Sequence, residues 1–174
     1  MCKKNTEMKP GLFIALLFIS AFSFAKEPAL SEIRALYEKS VADKSACDKL
    51  IQILSPYNES NYPLYAGYKA SAIMMMANHV VNPFSKFSHF KKGKKILENA
   101  IKANGSNIEL IFLRFNMQTH LPSFLGYDEN IKSDRLFLEN SFSAIEDVQL
   151  KQFLMPYLKN SDYIDAEKKR QLGL

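Results

Sequence analysis

Apolar residues recur at intervals of three and four along almost the whole chain, and this spacing constrains the fold more than any other feature. Cys47, Leu50, Ile51 and Leu54 follow the spacing i, i+3, i+4, i+7, which places them on one face of an α-helix. No segment shows a sustained alternation of apolar and polar residues, the pattern of a half-buried β-strand. The chain is therefore predicted to be all-α.

Capping residues and prolines divide the periodic segments into helices with short connectors. Helices joined in this way pack as antiparallel neighbours. The predicted fold is an array of antiparallel α-hairpins, and the alternative is a closed helical bundle. Pro156 is expected to kink or shorten the last of these helices. The predicted helices begin near Ser31, Asp43, Pro63, Asn82, Asn107, Asp128 and Leu150.

The N-terminal segment, residues 1–25, has the pattern of a secretory signal peptide. Three lysines lie in the first ten residues, an apolar run spans 12–22, and Ser23-Phe24-Ala25 ends in small residues. The run is shorter than the ~20 residues that span a bilayer, although an uncleaved anchor is the alternative. Cleavage after Ala25 would leave one domain, 26–174, with 162–174 as a charged, frayed tail. The segment predicts an exported protein of the periplasm or cell envelope.

The net charge and the motif content of the chain disfavour some classes of function. The whole chain has a net charge of +5, and about +3 remains once the signal segment is removed, which is too little to indicate nucleic-acid binding. No motif of a hydrolase, a phosphate-binding loop or a haem site occurs. We therefore predict no cofactor and assign no catalytic residue. Cys47 would be the one cysteine left after cleavage, and its apolar stripe predicts burial.

The segment from Gly93 to Asn107 resembles the second helix of a tetratricopeptide repeat (TPR). That helix carries a small residue, a large apolar residue four positions later, and alanine three positions beyond it. Gly93, Leu97 and Ala100 occupy these positions, and Gly105 stands where the repeat has proline. The resemblance implies that Gly93 and Ala100 allow two helices to approach closely while Leu97 fills the groove between them.

Two longer stretches resemble a group of small exported bacterial proteins of unknown function with TPR-like helices. They are AGYKASAIMMMANHVVNPFSKFSHFKKGKK and LRFNMQTHLPSFLGYDENIKSD. This resemblance implies export and a TPR-like domain. Because such arrays generally act as scaffolds, it also implies a binding function. The expected partner is a protein segment or an anionic component of the envelope.

The helix that follows Asn82 combines lysines with phenylalanines, a combination that can bind anionic partners. Its phenylalanines at 84, 87 and 90 have the spacing of a core face, so the lysines can equally be solubilising residues on the opposite face. Candidate binding residues here are Asn82, His89, Lys91, Lys92 and Lys95.

Three further candidates follow in the next helix and its connector. Arg114 interrupts the most apolar helix, so it either pairs with Glu98, Glu109 or Asp134 or binds an anion. Phe124 and Tyr127 lie in an apolar connector, which either carries function or plugs the end of the array. Together with the basic helix they form the predicted interaction surface.

Two other functions stay open. An envelope enzyme of hydrolase type would use His89 or His120 as acid or base beside a carboxylate. A lipid or small-molecule carrier would need an apolar cavity between helices. The spacing of His79, His89 and His120 matches no metal motif, so no metal site is predicted. A non-enzymatic binding or scaffold protein is the leading hypothesis.

Overall fold

The computed structural model describes residues 27–174, and in that range it contains eight α-helices and no β-strand. The prediction of an all-α chain is confirmed. The predicted signal peptide, residues 1–25, lies outside the described residues. The helices are α1 (Leu30–Ser40), α2 (Lys44–Ile53), α3 (Pro63–Met75), α4 (Pro83–Ala103), α5 (Ile108–His120), α6 (Ile131–Ser141), α7 (Val148–Asn160) and α8 (Ala166–Leu172).

Side-chain caps fix the starts of several helices at the residues that the sequence indicates. Asp43 accepts a hydrogen bond from the N–H of Ser45, and Asn107 accepts one from the N–H of Leu110. Each bond satisfies a backbone donor that has no partner inside the helix. The caps predicted at these two positions are confirmed.

Other helix boundaries differ from the prediction. Asp128 does not cap α6, because the carbonyl of Asp128 accepts a turn hydrogen bond from Ile131, and the helix begins only there. Pro156 does not shorten α7, which continues to Asn160. Buried Leu154 and Leu158 flank the proline, and their packing offsets the backbone hydrogen bond that it removes. Within the segment 162–174, a helix of 7 residues forms, α8.

Consecutive helices form three closely packed pairs, α1 with α2, α3 with α4, and α5 with α6. A second set of contacts joins the odd-numbered helices, α1 to α3, α3 to α5 and α5 to α7. Helices α3 and α5 therefore lie in the interior, and most side chains of both are buried. No helix in the range 27–174 is long and apolar enough to cross a bilayer.

An ion pair lies at the centre of the odd-numbered helices. Arg34 of α1 donates from Nε and Nη2 to the two carboxylate oxygens of Glu109 on α5, each at 2.8 Å. The Tyr68 hydroxyl of α3 donates to the same carboxylate. Both charged side chains are almost fully buried. Since unpaired burial of either charge would cost several kcal/mol, these bonds tie α1, α3 and α5 together.

Aromatic side chains surround this ion pair and bring α7 into the core. Phe153 of α7 packs edge-on against Tyr37 of α1 and Phe112 of α5, with ring centroids 6.0 and 5.5 Å apart. The Tyr37 hydroxyl accepts a hydrogen bond from Asn116 at 2.6 Å. These side chains fill the centre of the space between the odd-numbered helices, and a cleft of about 380 Å³ remains beside them, with Glu38 of α1, His120 of α5 and Tyr157 of α7 in its lining.

The closest helix contact is between α3 and α4 at Gly93. A Cβ atom at this position would lie 2.4 Å from Met74 Cγ and 2.6 Å from the carbonyl oxygen of Ala70. Leu97 and Ala100, on the same face of α4, are fully buried. The close approach expected from the small residues at positions 93 and 100 is therefore observed between α3 and α4.

Cys47 is buried on α2, which confirms the prediction for this residue. Its Sγ donates to the carbonyl oxygen of Ala72 on α3 at 3.1 Å. Burial raises the pKa of the thiol to about 11, so the reactive thiolate is disfavoured. Cys47 serves as a packing residue between α2 and α3.

Candidate functional site

Helix α4 is held at its N-terminus by the cap that the sequence predicts. The Asn82 side chain accepts hydrogen bonds from Phe84 N at 2.8 Å and Ser85 N at 3.3 Å. Pro83 occupies the first turn, where its missing N–H is not needed. Asn82 thus has a structural role within the chain, as the N-cap of α4.

The first turns of α4 expose aromatic side chains, which contradicts their predicted place in the core. Phe90 is buried, but Phe87 is 52% exposed and Phe84 is 84% exposed. Each step of three residues rotates the side-chain direction by about 60°, so Phe84 lies about 120° around the helix from Phe90. The preceding Val81 is 94% exposed. Three apolar side chains, those of Val81, Phe84 and Phe87, therefore face solvent at this end of α4.

Lysines extend this exposed strip along the helix. At 3.6 residues per turn, Lys91, Lys95 and Lys102 fall within about 20° of the direction of Phe84. All three are exposed. The Lys91 Nζ lies 5.6 Å from the ring centroid of Phe87. We call this surface the α4 stripe, defined as Phe84, Phe87, Lys91, Lys95 and Lys102.

The positive charge of α4 is largely uncompensated. The helix contains six lysines and a single carboxylate, Glu98, and Glu98 itself is engaged by Arg114 and Tyr127. Within residues 27–174, none of the lysines of α4 forms an ion pair. Lys92 is exposed on the flank of the stripe, and His89 is half-buried. The stripe therefore offers free cations next to exposed aromatic rings.

Arg114 of α5 is paired within the chain. Its Nε and Nη2 donate to Asp134 of α6 at 2.8 and 2.7 Å, and its Nη1 donates to Glu98 of α4 at 3.0 Å. Two of its three predicted partners are confirmed, while Glu109, the third, pairs with Arg34 instead. Arg114 therefore joins α5 to α4 and α6 through its ion pairs.

Tyr127 and Phe124, from the apolar connector, occupy different environments. The buried Tyr127 packs against Phe90 at 6.0 Å and donates its hydroxyl to Glu98, while the Lys94 Nζ lies 4.4 Å from its ring centroid. Burial raises the pKa of Tyr127 well above its ordinary value. Phe124 is exposed in a 3-10 turn, Ser123–Leu125. The connector is thus anchored to α4 through Tyr127 and presents Phe124 to solvent.

Two of the three histidines contact backbone carbonyl oxygens. His79 contacts that of Ser40 and His120 contacts that of Asn116, each at 2.8 Å. In the part of the chain that the structure describes, no histidine nitrogen lies within 4.0 Å of a carboxylate oxygen. No group of three or more residues that could ligate a metal gathers there either.

Of the predicted surface, the structure brings together the residues of α4, and it places Arg114 and Tyr127 beneath them in contact with Glu98. The sequence reasoning missed Phe84 and Phe87 as exposed residues. The sequence did contain an indication of this exposure. Residues spaced by three turn steadily around a helix, so Phe84, Phe87 and Phe90 do not all point in one direction.

Comparison with known proteins returned no matching family model, no matching curated protein and no matching solved structure.

Proposed function

We propose that this chain is a non-enzymatic binding module of the cell envelope and that it docks on an anionic lipid surface through the α4 stripe. One observation carries the proposal: Phe84 and Phe87 are exposed beside lysines that have no ion pair within the described chain. Aromatic side chains partition into the headgroup region of a bilayer, and lysines reach the phosphates there.

The architecture also favours an outer surface over an inner groove. The paired helices and the contacts between odd-numbered helices support the hairpin array that the TPR-like resemblance implies. In such arrays the inner helices usually line a concave groove. Here Phe153 and Tyr157 of α7 pack against Tyr37 and Phe112 across that space. The cleft of about 380 Å³ that remains beside these rings has the carboxylates of Glu38 and Asp162 in its lining, so the lysine-bearing face of α4 is the better candidate for contact with an anionic partner.

The expected affinity is modest and reversible. Each lysine near an anionic membrane contributes about 1 kcal/mol. Each phenylalanine contributes less than the roughly 1.5–3 kcal/mol of full burial, because interfacial insertion is partial. The five residues of the α4 stripe together contribute on the order of 5 kcal/mol. Neither the lysines nor the aromatic rings provide enough binding energy alone. Substitution of either group is therefore expected to release the protein from the membrane.

Vesicle co-sedimentation tests the proposal. We expect the protein to bind vesicles containing phosphatidylglycerol and to remain unbound with vesicles of phosphatidylcholine alone. The double variant Phe84→Ser/Phe87→Ser is expected to lose at least about tenfold in binding, the equivalent of about 1.4 kcal/mol. Lys91→Glu/Lys95→Glu is expected to lose as much. Added salt should weaken wild-type binding, because it screens the exposed charges.

A matched control distinguishes binding through the α4 stripe from nonspecific binding by exposed apolar residues. Val148 and Leu136 are exposed apolar residues on α7 and α6, so Val148→Ser/Leu136→Ser removes apolar surface elsewhere and is expected to bind normally. If the control loses binding equally, or if the protein binds an acidic polypeptide such as polyglutamate while ignoring the vesicles, lipid docking through the α4 stripe is excluded.

Export is part of the same proposal. The pattern in residues 1–25 supports removal of that segment after Ala25. N-terminal sequencing of protein recovered from the periplasmic fraction is expected to begin at Lys26. Full-length protein confined to the cytoplasm would contradict export, while leaving the vesicle experiments to decide the binding surface.

A further inference from the structure

The cleft of about 380 Å³ beside the aromatic core lies among the C-terminal parts of α1, α5 and α7, and its lining is acidic. Glu38 of α1 and Asp162, two residues after α7, both line it and both are exposed. Within residues 27–174, no lysine or arginine lines this cleft, and neither carboxylate forms an ion pair. Although the whole chain has a net charge of +5, the cleft therefore offers two free carboxylates to a ligand, in a volume typical of small-ligand sites.

Two tyrosines of the same lining are accessible to a ligand. Tyr163 is 44% exposed, and Tyr157 is half-buried. The Tyr157 ring packs edge-on against Phe112, with centroids 5.1 Å apart, and the Tyr163 ring packs edge-on against Phe115 at 6.1 Å. Phe112 and Phe115 are three residues apart on α5, a rise of about 4.5 Å. The two tyrosines therefore occupy neighbouring positions along α5.

Each of these tyrosines has a carboxylate near it. Asp162 directly precedes Tyr163 in the chain. Burial and, after it, the negative charge of Glu38 raise the pKa of Tyr157 to about 12, because Glu38 lies close to that hydroxyl. The face of an aromatic ring attracts a cation, and organic ammonium groups are the ligands that use this attraction most. A ring beside a carboxylate thus favours an ammonium group attached to aliphatic carbon.

The other polar residues of the lining can accept hydrogen bonds from an ammonium group. Thr119, Asn160 and Ser161 each carry a side-chain oxygen, which has lone pairs to accept with. His120 Nδ1 lies 2.8 Å from the carbonyl oxygen of Asn116. Because a carbonyl oxygen only accepts, Nδ1 is the donor, and Nε2 of the neutral ring is an acceptor. The lining therefore matches a ligand that donates hydrogen bonds and carries positive charge.

We infer that this cleft binds a small aliphatic compound with two ammonium groups. One ammonium group binds beside Glu38 and Tyr157. The other binds beside Asp162 and Tyr163, and the carbon chain between them contacts the aromatic rings. The second positive charge of the ligand matches the second carboxylate of the cleft, so a compound with a single ammonium group leaves one carboxylate unpaired. The site is separate from the α4 stripe and does not depend on the lipid proposal.

Titration of the full chain with the diammonium compound putrescine, followed by NMR, tests this inference. The ring resonances of Tyr157 and Tyr163 are expected to shift with saturation. Butylamine has the same carbon chain and one ammonium group, and it is expected to bind at least about fivefold more weakly. Butanol, which has the same carbon chain and no charge, is expected to leave the ring resonances unmoved.

The double variant Glu38→Gln/Asp162→Asn gives a second readout. It removes both charges and keeps the size of the side chains, so we expect at least about a tenfold loss of putrescine binding. The melting temperature should stay unchanged, since neither carboxylate forms an ion pair within residues 27–174. Asp128→Asn/Glu129→Gln makes the same change in net charge at two exposed positions outside this cleft. This control should bind putrescine normally.

Three results would overturn the inference. Tyrosine resonances that stay unmoved by putrescine would show that the cleft binds no diammonium compound, and an equal response to butanol would show that charge has no part in binding. Putrescine binding that survives Glu38→Gln/Asp162→Asn, or that falls equally in the control variant, would exclude these carboxylates as the site. Each result leaves vesicle binding through the α4 stripe unaffected, because the two surfaces are tested with different probes.

Discussion

Replacing Glu109 with alanine is expected to lower the free energy of unfolding by about 3–5 kcal/mol. The substitution leaves the Arg34 guanidinium buried without its bidentate partner and removes the acceptor of the Tyr68 hydroxyl. It also removes the contact that joins α1 to α5, which lie 75 residues apart in the chain. Urea unfolding followed by circular dichroism measures the loss.

An exposed ion pair serves as the control. Glu32 of α1 lies 3.3 Å from Lys49, with both side chains about half exposed, so Glu32→Ala is expected to cost less than about 1 kcal/mol. The triple variant Arg34→Met/Glu109→Leu/Tyr68→Phe, which removes all three polar partners together, should lose less than Glu109→Ala alone. Equal losses for Glu109→Ala and Glu32→Ala would contradict the central role of this ion pair.

Substitution of Gly93 by alanine is expected to destabilise the protein by about 1–3 kcal/mol. Alanine normally stabilises a helix relative to glycine by about 0.5–1 kcal/mol. A loss of stability in Gly93→Ala would therefore be opposite in sign to the usual effect. The added methyl group would meet the backbone oxygen of Ala70 at 2.6 Å as well as Met74 Cγ, and backbone in the middle of α3 has little room to move. Thermal or urea unfolding of Gly93→Ala provides the measurement.

Gly67 of α3 is the matched control. A Cβ atom there would lie 2.4 Å from Leu110 Cδ2, which is the end of a flexible side chain. The next nearest atom, Leu113 Cδ1, would lie at 3.4 Å, an ordinary van der Waals contact. A side-chain end can rotate away, so Gly67→Ala should cost less than Gly93→Ala. If Gly93→Ala instead raises stability, the two helices do not approach as closely as the structure indicates.

Local chemistry made the helices predictable. Asp43, Asn82 and Asn107 each sit directly before a segment of helical periodicity, and a cap acts on backbone donors two or three residues away. The pairing of Arg114 with acidic residues was also predictable, because a charge in an apolar helix must be paired. Its partners on α4 and α6 could be listed from nearby acidic residues but could not be ranked.

Long-range geometry was not predictable in the same way. Nothing in the local sequence links Arg34 to Glu109, since their pairing depends on the path of three intervening helices. The exposure of Phe84 and Phe87 depends on which part of α4 its neighbours cover. Both features arise from tertiary packing, and the proposed docking surface lies where such packing leaves side chains exposed.

The proposed docking surface can be tested directly with one fluorescent reporter. The chain contains no tryptophan, so Phe84→Trp introduces a single indole on the α4 stripe while keeping an aromatic ring. We expect its emission to shift to shorter wavelength with phosphatidylglycerol vesicles and to stay unchanged with phosphatidylcholine vesicles. A tryptophan at Val148 on α7 should not respond to either. An unchanged emission at position 84, or an equal shift at position 148, would contradict docking through α4.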